Sequence, residues 1–513
     1  MKIYDLLEKS AFQFGERTAI IHQEERINYR ELYRQYCLFT RFLDSLDLPG
    51  GSRIAILYEN SINYVGLFFA ISRAGFVAVP LDTSQKPDKL GYIISDCSAG
   101  AVIIQSKYHR VLKGIMEHGK SLEFIISDKE IKADFGEIEF HSLSGINTDG
   151  WNESLSPNDR NYSEKFSGEL AAIFYTSGST GTPKGVKLSH KNLLSNTYAT
   201  VEYLELKPED RIMVILPFYY IYGNSLLLTH IASGGTIVIN NNFMYPELIL
   251  DTMEKEKVTG FSGVPSNFMI LLNKSTFSKR KLESLRYFTQ AGGSMAPEII
   301  KRLMKAFPNK QIFIMYGQTE ASPRVTYLPP DRLSEKIGSI GIPIPGVDVR
   351  IMNEEGFEVP TGEVGELTVA GDNVMLGYWN KDDEENQVIK ENRLYTGDFA
   401  KKDEDEYIYI IGRKKEIVKA AGNRVSTKEI EERILEHENV AEVAVLGVKD
   451  DILGEAVKAV VVLKEGCVGT SRDIQKFCRE KLADFMVPKY IEFTDALPKH
   501  QSGKIDKTKL AEI

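Results

Sequence analysis

The segment Tyr175–Val186 reads YTSGSTGTPKGV, and eight of its twelve residues are Gly, Ser or Thr. It follows the apolar run AAIFY directly. Small residues let backbone N–H groups face a polyphosphate, hydroxyls donate further hydrogen bonds, and Lys184 adds a positive charge. A Walker A loop needs Gly before its Lys and Ser or Thr after it. Here Pro183 precedes Lys184 and Gly185 follows, which excludes a P-loop ATPase. A second segment, Tyr316–Glu320 (YGQTE), closes the apolar run QIFIM and sets Glu320 at a strand end. Mg²⁺ commonly takes one or two carboxylates plus substrate phosphates. A third, Tyr395–Asp398 (YTGD), is followed by Gly412-Arg413. A fixed carboxylate suits the cis-diol of a ribose, because it accepts from both hydroxyls, although Gly-Asp is also an ordinary turn pair. The fourth is LPKHQSGKIDK, which contains Lys504.

The elements that must carry these segments alternate. Arg53–Leu57, Gly75–Pro80, Ala101–Ile104, Phe124–Ile126, Ala171–Tyr175, Arg211–Leu216 and Thr236–Ile239 are short apolar runs and predict strands. Ile62–Ser72 predicts a buried helix. Ser189 is placed to cap a helix through Leu193, Leu194 and Val201, and Pro297–Phe307 has helical apolar spacing. This alternation implies parallel sheets covered by helices, with ligands at strand ends. From Val347 the texture becomes short strands with Gly and Pro turns, a small β-rich unit. Ser426-x-x-Glu429 then reads as a capping box opening a new helix. Strands at Ala441–Val448, Ala459–Leu463 and Tyr490–Phe493 and a helix near Ile474–Leu482 complete an α+β unit. The expected fold class is thus α/β: a large N-terminal domain, 1–412, and a small α+β C-terminal domain, 413–513. No internal repeat or low-complexity tract is visible.

The first segment resembles the phosphate-loop signature of the adenylate-forming superfamily, which includes acyl-CoA synthetases, adenylation domains of peptide synthetases and luciferases. The resemblance extends over nearly the whole chain. It implies that Thr176, Ser177, Gly178, Ser179, Thr180, Gly181 and Lys184 bind the phosphates of ATP. It implies that Glu320 binds Mg²⁺, that Thr319 lies near the α-phosphate, and that Tyr316 lies against adenine beside Gly292 and Gly293. Asp398 would hold the ribose hydroxyls with help from Arg413. Lys504 would be the catalytic lysine, a cation bridging the substrate carboxylate and the triphosphate, which repel each other. Lys415 occupies the hinge position, about which a mobile C-terminal domain would present two faces. Ala421 and Gly422 would form the tunnel for a pantetheine arm, and Arg424 would meet a CoA phosphate or lie on the surface.

Leu216–Gly223 (LPFYYIYG) falls where acyl-CoA synthetases often carry an aromatic residue followed by His; Tyr220 takes the His place. Amino-acid-activating domains place an Asp in this region for the substrate ammonium, and no acid occurs between Arg211 and Asn242. A fatty or aryl acid is therefore favoured over an α-amino acid. Tyr219, Tyr220, Asn224 and Ala291 are expected in the acyl pocket. The expected reaction is ATP-dependent formation of an acyl-AMP and transfer to coenzyme A. The alternative acceptor is the phosphopantetheine of a carrier protein, since SGKIDK resembles the ending common in stand-alone adenylation enzymes. A non-catalytic nucleotide-binding module would be expected to have lost Lys184, Glu320 or Lys504, and all three are present. A luciferase-like oxidase would share the motifs, but no residue argues for O₂ chemistry.

Composition agrees with this class. The 513 residues are enough for at least two cores. Hydrophobic residues make up 42% and charged residues 26%, which excludes a disordered or fibrous chain. A net charge of −9 argues against a general nucleic-acid binder. No run of about 18 apolar residues exists to span a membrane, and MKIYDLLEKS lacks the basic flank and apolar core of a signal peptide. A cytoplasmic location is expected. The four cysteines are scattered, as expected of reduced, buried thiols, and the eight histidines form no HxH or HExxH.

Overall fold

The computed structural model describes residues 1–145, 168–177, 182–381, 388–413, 417–420, 423–450, 454–499 and 505–511. Two large sheets form the first part of the chain. The seven-stranded sheet runs in the order Glu139–Ser142, Phe124–Ser127, Ala99–Ile104, Arg53–Leu57, Val77–Pro80, Leu170–Ser177, Pro183–Ser189. All its pairings are parallel except the last, which is an antiparallel hairpin. The nine-stranded sheet runs Ile342–Pro343, Arg324–Leu328, Gln311–Gly317, Tyr287–Gln290, Gly260–Gly263, Arg211–Val214, Thr236–Ile239, Thr18–His22, Glu25–Asn28. Its interior is parallel and its edge pairs are antiparallel. Strands buried on both faces need continuous apolar sequence. Ala99–Ile104, Thr236–Ile239 and Phe124–Ser127 are buried at every position.

Helices Ile62–Arg73 and Ile221–Ser233 are buried over most of their circumference. A helix apolar all round belongs between layers, and residues of both join the largest apolar core. Ser189 caps helix His190–Tyr203 as the sequence predicts. Its hydroxyl accepts from the Asn192 N–H at 3.0 Å, and the Asn192 side chain returns a bond to the Ser189 N–H at 2.8 Å. The Asn192 amide also donates to the Asp372 and Val374 carbonyls at 2.8 and 2.7 Å. The cap thereby ties the helix to the segment that holds Asp372 and Val374.

The small β-rich unit is a five-stranded antiparallel sheet of Val347–Met352, Gly365–Gly371, Ile389–Lys390, Arg393–Lys402 and Ile408–Arg413. A separate five-stranded sheet follows, of Ile417–Ala420, Asn423–Ser426, Val440–Asp450, Gly454–Leu463 and Tyr490–Phe493. Helices Thr427–Ile434 and Ser471–Arg479 close its core over Val443, Val445, Val457 and Val461. The chain is thus a large α/β domain followed by a smaller C-terminal one. The Ser426 hydroxyl accepts from the Glu429 N–H at 3.4 Å. The same hydroxyl donates to the Ile411 carbonyl at 2.5 Å, joining the new helix to the preceding strand.

One expectation is corrected. Cys37, Cys97 and Cys478 are buried free thiols, but Cys467 is free and only half-buried. It lies in the turn after Leu463, beyond the apolar clusters that the two faces of that sheet build. Among the described residues no helix is long and apolar enough to cross a membrane.

Candidate active site

Strand Gln311–Gly317 is buried between its parallel neighbour and the antiparallel strand Arg324–Leu328. It delivers YGQTE to the sheet's end. Gly317 is required there. A Cβ at this position would stand 1.8 Å from the Pro323 carbonyl oxygen, because the chain turns back within a few residues. The turn Thr319–Ala321 follows, with Thr319 buried and Glu320 half-buried.

The motif meets YTGD across the two sheets. The Tyr316 hydroxyl donates to Asp398 Oδ2 at 2.6 Å. Arg413, directly opposite Asp398 on the paired strand, donates through Nε to Oδ1 at 3.1 Å. The Asp398 side chain is only 4% exposed, so it is a fixed carboxylate with a donor on each oxygen. Burial, and then the Asp398 carboxylate, push the Tyr316 phenol well above its usual range, which keeps it protonated and donating. A carboxylate offers about four acceptor positions, so it can serve a diol as well as the donors that orient it.

Lys184 arrives on the hairpin. Thr176 lies opposite Lys184 and Ser177 opposite Pro183. Strand Pro183–Ser189 also pairs with the segment Met375–Trp379: Trp379 N–H donates to the Gly185 carbonyl at 2.7 Å, and Lys187 N–H to the Gly377 carbonyl at 2.9 Å. That segment carries Tyr378, whose hydroxyl donates to Glu320 Oε1 at 3.0 Å. The Lys184 ammonium stands 5.4 Å from the centre of the Tyr378 ring. Lys184, Tyr378 and Glu320 therefore form one chain of contacts. Sequence reasoning missed Tyr378. Its only local signal is an aromatic pair in LGYWN, which reads equally well as packing.

Of the segments expected at the acyl pocket, Gln290–Ser294 follows the buried strand Tyr287–Gln290. Ala291 is buried, and Gly292 takes a positive φ of 82°. The Gln290 side chain donates to the Gly293 carbonyl at 2.7 Å and stiffens the turn. The LPFYY loop is held by Asn60, which donates to the Leu216 carbonyl at 2.9 Å and accepts from the Phe218 N–H at 2.7 Å. Tyr220 is half-buried against the core at the start of helix Ile221–Ser233. The Tyr219 hydroxyl bonds Asp82 and Thr83, and burial, then Asp82, push its phenol up. Asn224 is fully buried, and neither polar atom of its amide has a hydrogen-bond partner among the described residues.

Several expected site residues lie outside the described residues: Gly178, Ser179, Thr180 and Gly181 at the hairpin tip, Lys415, Ala421, Gly422 and Lys504. The side chains of Ser177 and Arg424 also lie outside them.

A Mg²⁺ ion fits the donor set present. Among the described residues no cluster of His, Cys, Asp and Glu would hold a metal alone. Glu320 is a single carboxylate facing the Lys184 hairpin, which suits a cation completed by phosphate oxygens.

The model of the AMP-binding enzyme family matches residues 7–379, and that of the AMP-binding enzyme C-terminal domain matches residues 429–504. The chain is 31% identical to a long-chain-fatty-acid–CoA ligase of Yersinia pestis, over 99% of this chain and 93% of that one. It superposes on the anthranilate CoA ligase AuaEII in complex with anthranoyl-AMP with a TM-score of 0.87, at 25% identity over 100% of this chain and 97% of that one. It superposes on ATP-bound MatB of Rhodopseudomonas palustris with a TM-score of 0.86, at 29% identity over 100% and 99% of the two chains. The chain belongs to the AMP-binding enzyme family, and it is an enzyme of the AMP-forming acid–thiol ligase type.

Proposed function

We propose that the protein activates a carboxylic acid lacking an α-amine, of the fatty or aryl class, with ATP and passes the acyl group to coenzyme A. The observation that carries this is Asp398, buried and oriented by Tyr316 and Arg413, with Tyr316 on the strand that leads into Thr319 and Glu320. That arrangement offers a diol acceptor and a phosphate-side carboxylate for the two ends of one nucleotide.

In the first step the substrate carboxylate oxygen attacks the α-phosphorus. The bond to the β-phosphate oxygen breaks, and pyrophosphate leaves. Lys184 and the hairpin hydroxyls bind the phosphates, Thr319 faces the α-phosphate, and Lys504 offsets the repulsion between the two anions. Glu320 would hold Mg²⁺, which supplies charge neutralisation on the phosphates. In the second step a thiolate attacks the acyl carbonyl, and the bond to the AMP oxygen breaks. Residues 413–513 serve both steps by turning about Lys415, with Ala421, Gly422 and Arg424 along the thiol's path. The absence of acids between Arg211 and Asn242 supports an acid without an ammonium group.

The test is pyrophosphate release with Mg²⁺–ATP over fatty, aryl and amino acids, each with and without coenzyme A. CoA-stimulated release with a fatty or aryl acid is expected. Slow release that CoA leaves unchanged would move the acceptor to a carrier-protein phosphopantetheine. Release with amino acids alone would overturn the substrate class.

A further inference from the structure

Arg324 is among the largest fully buried side chains of the protein, at 1% exposure. Its Nη1 donates to the Ser225 hydroxyl, and its Nε donates to the Met315 sulfur at 3.4 Å. Its guanidinium carbon lies 5.1 Å from the centre of the Tyr222 ring. Nη2 is buried with no hydrogen-bond partner among the described residues. Among the described residues no carboxylate pairs with it. The ionisable groups around it are neutral at neutral pH: burial pushes the Tyr203, Tyr222 and Tyr287 phenols up and brings His230 down to about 4. Asp210 approaches His230 and Tyr287 but is taken by Arg286 at 2.9 Å. A buried guanidinium without an anion is costly, and Met or Leu would fill the volume without that cost.

It adjoins the segments expected to line the acyl pocket. Arg324 is paired in register with Gly317 of YGQTE, two residues before Thr319. Tyr222 and Ser225 lie on the helix that follows LPFYY. The Tyr222 hydroxyl contacts the Thr289 hydroxyl at 3.0 Å, one residue before the Gln290–Ala291 turn, and Thr289 contacts Ser262 at 2.6 Å. The groups that pack around or next to the guanidinium thus include the hydroxyls of Ser225, Tyr222 and Thr289.

We propose that the acid activated here carries a second carboxylate at its far end, which docks on Arg324 and supplies the missing anion. This rests on the acyl-activating reading of the site. A planar guanidinium with an open N–H matches a carboxylate oxygen. The far carboxylate selects the substrate and takes no part in bond making.

The test uses the full chain with Mg²⁺–ATP, reading pyrophosphate release. A ladder of α,ω-dicarboxylic acids from malonate to sebacate, with aryl dicarboxylates, is set against monocarboxylic acids of equal carbon count. One dicarboxylic acid is expected to exceed its partner in kcat/KM by about 100-fold or more. Arg324→Met is expected to collapse that ratio by at least about tenfold. Arg324→Lys keeps the charge, loses the planar fork, and lowers the ratio by less, so it serves if the methionine variant does not fold. Monocarboxylic acids used as well as or better than dicarboxylic ones, or a ratio that neither variant changes, would overturn the inference alone. Release with no acid of either kind would overturn the acyl-activating reading, and the inference with it.

Discussion

Asp398→Asn isolates the ribose end of the site. The carboxylate is 4% exposed, with Tyr316 on Oδ2 at 2.6 Å and Arg413 on Oδ1 at 3.1 Å. Asparagine has the same shape and removes the charge. Its carbonyl would face Arg413, and its NH₂ would meet the Tyr316 oxygen, which accepts in place of donating. Hydrogen bonds to a charged acceptor are worth about 1.5–3 kcal/mol, and neutral ones about 0.5–1.5. Two ribose hydroxyls therefore lose about 2–3 kcal/mol together, which is roughly 30–150-fold in kcat/KM for ATP at about 1.4 kcal/mol per tenfold. The same loss would follow from any damage to the site, so the substrate must be changed as well. With 2′-deoxy-ATP the wild-type protein should lose roughly tenfold or more, since one charged acceptor goes unused. In the Asp398→Asn protein that penalty should shrink by several-fold, because the bond removed is already weak. Pyrophosphate release under limiting nucleotide reads all four combinations. An unchanged deoxy penalty in the substituted protein would refute the placement of the ribose on Asp398.

Three further outcomes are expected. Lys504→Ala should slow adenylate formation by about 10²–10³-fold and leave thioester formation from supplied acyl-AMP largely intact; equal loss of both steps would remove its role. Glu320→Ala should raise the Mg²⁺ concentration needed for half-maximal pyrophosphate release, and an unchanged metal dependence would take Glu320 out of the site. Burial, then the Lys2 and N-terminal charges, bring His190 down to about 4 from 6.5. It is neutral in the folded chain while its unfolded counterpart protonates, so stability is full above about pH 6.5 and falls as pH drops towards 4. The loss due to His190 at pH 5 is about 2 kcal/mol, and His190→Gln should flatten the change in unfolding free energy between pH 7 and pH 5, read by urea titration, by that amount.

Short apolar runs with polar ends proved the most legible features. Arg53–Leu57, Thr236–Ile239 and Tyr490–Phe493 form strands over the residues expected. Where a hairpin continues the ladder, hydrogen bonding outruns the apolar run. Leu170–Ser177 extends past Tyr175, and Gly454–Leu463 starts five residues before Ala459. The opening helices Tyr4–Phe14 and Tyr29–Ser45 were not expected, although Leu32, Tyr36, Phe39 and Leu43 carry helical spacing behind an Asn28 capping box. At the candidate site, residue type singles out Tyr316 and Asp398, but the contact across two sheets that fixes the carboxylate is not legible in it. Side-chain direction in the LPFYY segment is not legible in the sequence. Tyr219 and Tyr220 are adjacent in sequence, yet one bonds Asp82 and the other packs on the core, because a loop can aim neighbours in opposite directions.

Arg324 shows why the rest stayed hidden. RVTY, the first four residues of the strand, alternates polar and apolar residues, and period-two alternation reads as a strand with one face in water. By that rule Arg324 and Thr326 belong outside. Both are buried, at 1% and 0% exposure. The reason is not in the strand. Ser225 and Tyr222, which cover the guanidinium, come from a helix almost a hundred residues earlier, and Ile342–Pro343 closes the far edge. A pattern that would mean solvent on an open sheet here means a polar interior. A second substrate carboxylate, as proposed above, would complete such an interior, so the residue that sequence periodicity misplaces is also the one whose charge demands an explanation in function.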